Sequence, residues 1–89
     1  MPKGEIGWTR RTEEGAKLSV YVHHVSNRWL FHARSGRFAQ WRAIPEPPLE
    51  DWLELLDAVT RLVNRRRLRP EEIDRVKKSI RERFPEAEI

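Results

Sequence analysis

Apolar and polar residues alternate along residues 17–34, and this stretch organises the chain. It reads KLSVYVHHV, then Ser26-Asn27, then RWLFHAR. A two-residue turn at Ser26-Asn27 sets Val25 opposite Arg28, and the pairing then runs back along both strands. It predicts His24 against Trp29, Val22 against Phe31 and Val20 against Ala33. Successive strand side chains point to opposite sides, so these residues and Leu18 share one apolar face. Lys17, Ser19, Tyr21, His23, Leu30, His32 and Arg34 fall on the other face, which is polar, basic and partly aromatic.

The same alternation extends to both sides of the hairpin. Residues 6–12 predict a first strand, closed by the three-residue turn Glu13-Glu14-Gly15, where glycine supplies the positive φ. Pairing Thr12 with Ala16 sets Trp8 against Val20 and Ile6 against Val22 on the apolar face. Thr9 and Arg11 then join the polar one. After Ser35-Gly36, residues 37–44 predict a fourth strand. A three-residue loop (Ser35, Gly36, Arg37) buries Trp41 beside Phe31 and turns Phe38, Gln40 and Arg42 to the polar face. A two-residue loop reverses this. The first is preferred because it buries the larger ring.

Beyond Pro45-Glu46-Pro47-Pro48, which cannot continue a ladder, the period changes from two to 3.6. Leu49, Trp52, Leu53, Leu55, Leu56, Val59, Leu62 and Val63 make a broad helical stripe over residues 49–66. Acidic residues stand at its start and arginines at its end, each complementing the macrodipole. Asp57 and Arg61 form a favourable i,i+4 pair. Pro70 at the first helical position opens a second helix with a narrow seam of Ile73, Val76, Ile80 and Phe84, stopped by Pro85. The expected fold class is therefore α+β: a four-stranded antiparallel β-meander followed by two C-terminal α-helices packed on one sheet face. One domain is expected over residues 1–89, with the meander at 6–44, the proline-rich connector at 45–48 and a helical hairpin at 49–85.

Charge adds an asymmetry to this picture. Among the 89 residues, positions 1–44 hold eight basic and three acidic side chains, whereas positions 45–89 hold ten basic and eleven acidic ones. The surplus of five positive charges belongs to the strand half, where it favours a polyanion. No cysteine is present, so disulfides, thiolate nucleophiles and Cys-bearing zinc sites are excluded. No apolar run reaches the roughly 20 residues of a membrane span, and a cytoplasmic protein with no membrane partner is expected.

Chemistry concentrates on the polar sheet face. Rings on which bases stack, set among cations that track phosphates, are what single-stranded nucleic acid requires. Arg11, Lys17, Tyr21, His23, His32, Arg34, Phe38 and Arg42 are the candidate nucleic-acid-binding residues, acting as a non-enzymatic module on single- or double-stranded nucleic acid. A solvated sheet face explains the same residues without a ligand. The principal alternative is an adaptor or homodimer working through the apolar girth of helix 1 or through an edge strand. A lesser one is a small ribonuclease using Tyr21, His23, His32 and Arg34, but no carboxylate is placed to orient either histidine. Two imidazoles fall short of a zinc ligand set, so neither a metal nor another cofactor is expected. The run Arg65-Arg66-Arg67-Leu68-Arg69 reads more simply as a capped helix corner than as a phosphate site.

Overall fold

Four antiparallel strands form one open sheet in the order β1-β2-β3-β4: β1 Ile6–Arg11, β2 Lys17–Val25, β3 Arg28–Arg34 and β4 Arg42–Ala43. Two helices follow, α1 over Leu49–Asn64 and α2 over Glu71–Arg83, which completes an α+β fold of ββββαα order. The computed structural model describes residues 6–26, 28–36 and 39–89. The chain divides into two compact units, Met1–Pro47 and Pro48–Ile89.

Within the sheet unit, both hairpins adopt the register that alternation predicts. Ile6 pairs with Val22 and Trp8 with Val20 across β1 and β2. Val20 pairs with Ala33, Val22 with Phe31 and His24 with Trp29 across β2 and β3. Ile6, Val20, Val22 and Phe31 are buried, Val22 completely. Trp8 meets Phe31 edge-on at 6.3 Å between ring centroids, spanning the row that Val20 and Val22 occupy. The first turn closes as expected, since Thr12 donates its N–H to the Ala16 carbonyl at 2.8 Å and Gly15 has φ 85°. Ser26 has φ 47°, the positive value that the first residue of a two-residue hairpin turn requires. Its partner Asn27 lies outside the described residues.

The fourth strand departs from expectation. Among the described residues Arg42 and Ala43 alone form it, pairing with Ala33 and His32. The Ile44 N–H then donates to the Phe31 carbonyl at 2.8 Å. Ile44, not Trp41, thus stands beside Phe31, a slip of three residues from the preferred register. Three is odd, so Trp41, Arg42 and Ile44 each fall on the face opposite to the one expected. Trp41 emerges on the polar face with 40% of its surface exposed. Arg42, expected on the polar face, instead shares the side of its partner Ala33 and is exposed at the sheet's rim. A longer loop adds little closure entropy, and it allows a branched aliphatic rather than an indole to fill the place beside Phe31. Phe38 and Arg37 lie outside the described residues.

In the helical unit, α1 buries Trp52, Leu55, Ala58 and Val59, a stripe at 3.6-residue spacing, together with Asp51. Glu50 and Asp51 occupy its first turn, where acidic side chains complement the macrodipole. The helix ends two residues before the expected boundary. Arg66 N–H donates to the Val63 carbonyl and Arg67 N–H to the Leu62 carbonyl, each at 2.9 Å, with Arg66 at φ 58°. These paired bonds around a left-handed residue are a Schellman closure. Helix α2 buries Glu72, Val76 and Ile80, and Pro70 precedes it in helical conformation instead of being its first residue. The Arg83 guanidinium lies 5.0 Å from the centre of the Trp52 ring, joining the end of α2 to the start of α1. Arg81 Nε–H donates to the Ile89 carbonyl at 3.1 Å, which ties down the C-terminal residues. Among the described residues no helix is long and apolar enough to cross a membrane.

Candidate nucleic-acid interface

The polar sheet face is laid out as rows that cross the strands, each about 7 Å from the next. At one end Arg11 of β1 faces Lys17 of β2. The next row runs Thr9, Ser19, Arg34, and Trp41 continues it one step past the Ala33–Arg42 pair. Gly7, Tyr21, His32 and Ala43 form the row after that. His23 with Leu30, and Val25 with Arg28, complete the far end. Arg11, Lys17, His23, Arg28, Leu30 and Trp41 are exposed, and Tyr21, His32 and Arg34 are half-buried.

Four side chains from three segments converge in the middle of this surface. Tyr21 stacks on its cross-strand partner His32 with centroids 5.0 Å apart and planes inclined by 20°. Trp41 meets Tyr21 edge-on at 4.8 Å. The Arg34 guanidinium lies 4.6 Å from the centre of the Trp41 ring, within cation–π range. Neither Arg34 Nε nor His32 Nδ1 makes a hydrogen bond to the described residues. Gly7, which has no side chain, is directly across from Tyr21. A methyl group there would come within 3.2 Å of the Val20 carbonyl oxygen.

Arg11 has a structural duty as well, since its guanidinium donates to the Gly15 carbonyl at 2.8 Å and braces the first turn. Of the eight candidates read from the sequence, six (Arg11, Lys17, Tyr21, His23, His32 and Arg34) stand on this face. Arg42 does not, and Phe38 lies outside the described residues. The sequence reading missed Trp41, although a signal was available. Ile44 sits directly before Pro45 and competes with Trp41 for the place beside Phe31, three positions away.

The opposite face offers a different feature, a shallow groove of about 540 Å³ bordered by Leu18, Ala33, Arg42 and Ile44 among others. It gathers one cation and mostly aliphatic walls. His24 stacks flat on Trp29 on this side, centroids 4.0 Å apart. Among the described residues no group of three or more His, Asp or Glu side chains is arranged to hold a metal ion. The chain matches no protein-family model, no curated protein and no solved structure.

Proposed function

We propose that this protein is a non-enzymatic nucleic-acid-binding module that works through the outer face of its sheet. One observation carries the reading: Arg11, Lys17, Arg28 and Arg34 share that face, and among the described residues the strands contain no acidic side chain to offset them. Arg11 and Lys17 are directly opposed across β1 and β2, a like-charge pair that destabilises a sheet in isolation. A polyanion laid across the rows relieves that repulsion and converts it into attraction. The face runs about 27 Å along β2 at 3.4 Å per residue, long enough for several nucleotides.

The protein-partner alternative through α1 has less to stand on. Among the described residues Leu53, 41% exposed, is the one large apolar side chain of the helices left in solvent. The test is a titration of labelled single- and double-stranded oligonucleotides at low and moderate salt, with Lys17→Glu and Arg34→Glu alongside. Binding is expected at low salt and weakens as salt is added and as each charge is reversed. Absence of binding to any oligonucleotide at low salt overturns the proposal.

A further inference from the structure

We infer that the Tyr21–His32–Trp41–Arg34 cluster is a base-stacking platform, and that it makes this module selective for single strands over duplex. The inference rests on the nucleic-acid reading of the same face and narrows its ligand. Trp41 is the starting point. A register three residues away would set this ring beside Phe31 on the apolar face, where Ile44 now stands half-buried. The fold leaves Trp41 40% exposed on the cationic face, beside Arg34.

The ring is nevertheless held. Tyr21 meets it edge-on, and the Arg34 guanidinium lies over it. Tyr21 is fixed in turn by its stack on His32. Two neighbouring groups, one of them itself stacked on His32, therefore set the orientation of an indole that still faces solvent. A pre-oriented aromatic surface loses little entropy on binding, which is what a stacking site needs. Lys17 and Arg11, on the row next to Trp41, and Arg28 at the far end supply charge for phosphates on either side of a stacked base.

Strandedness follows from access. In a duplex each base is covered above and below by its neighbours, and a protein meets only phosphates and groove edges. An unpaired base exposes its whole face, and every base has one, so recognition is tolerant of sequence. The chemistry common to single-stranded RNA and DNA is sufficient here.

Three probes separate this inference from the charge-based reading beneath it. The unmodified protein is titrated at fixed salt with a 12-nucleotide oligothymidine, with its RNA counterpart, and with a strand of equal length carrying abasic sugars in place of bases. A DNA duplex run in parallel is expected to bind roughly tenfold more weakly than the single strands, and equal or tighter duplex binding overturns the selectivity. Single strands of either sugar are expected to bind roughly ten- to a hundredfold more tightly than the abasic strand. Trp41→Ala should lower single-strand affinity by a similar factor and leave duplex affinity within about twofold, while Trp41→Phe retains most of it. Equal binding of abasic and normal strands, with Trp41→Ala unaltered, overturns the stacking platform while the electrostatic reading survives. Failure of every strand to bind at low salt overturns the reading itself. The abasic comparison uses the unaltered protein, so a poorly folding variant does not obscure the outcome.

Discussion

Arg66 holds a left-handed backbone, φ 58°, at the closing turn of α1. For a residue with a Cβ that conformation costs about 1 kcal/mol relative to glycine, and the Arg66 side chain is exposed. Arg66→Gly is accordingly expected to stabilise the protein by about 1 kcal/mol, which thermal unfolding reads as a rise of roughly 4–8 °C. A fall in melting temperature would show that the arginine side chain contributes more than the backbone loses. Lys17 gives a prediction of the opposite kind. Lys17→Glu sets a carboxylate opposite Arg11 and turns a like-charge opposition into an attraction, so stability should rise by a few tenths to about 1 kcal/mol. Oligonucleotide affinity should fall in the same variant. A surface retained only for solubility predicts the first change without the second, and calorimetry with titration on one sample separates them.

At the level of elements, the periodic segments were legible and the aperiodic one was not. Val20, Val22 and Phe31 alternate with polar neighbours through two turns of short, defined length, so their shared face and register followed from position alone. The helical stripe was equally clear, although it was broader than the buried set. Leu53 and Leu55 look alike in sequence, yet Leu55 is 0% exposed and Leu53 lies in solvent. Leu55→Ala is expected to destabilise by about 2–5 kcal/mol and Leu53→Ala by no more than about 0.5, as denaturant titration would measure. Only the three-dimensional path of the helix distinguishes them. The β4 segment failed because Ser35-Gly36 announces a reversal without fixing its length. Choosing by ring size then placed Trp41 on the wrong side and Arg42 with it. Most of the candidate site could thus be read from the hairpins, whereas its exposed ring turned on the competition between Ile44 and Trp41, which ring size alone decides wrongly.

For the whole molecule, the imbalance of charge between the two halves has a measurable signature. Three or four phosphate contacts on the sheet face give a log–log salt slope of about −2 to −3 for single strands. Raising salt from 50 to 200 mM should then weaken binding roughly twenty- to sixtyfold. A slope near zero would mean that the cations on the sheet are spectators. The segment bearing Trp41 has a further consequence, rooted in parity. Ile44 and Trp41 are an odd number of positions apart, so an extended strand cannot hide both, and sheltering the aliphatic commits the indole to water. Ile44 thereby governs a surface from its far side. A polar replacement such as Ile44→Thr removes the reason for the present choice. A screen for lost ligand affinity should therefore recover changes at Ile44, a position that a map of ligand-touching residues would pass over.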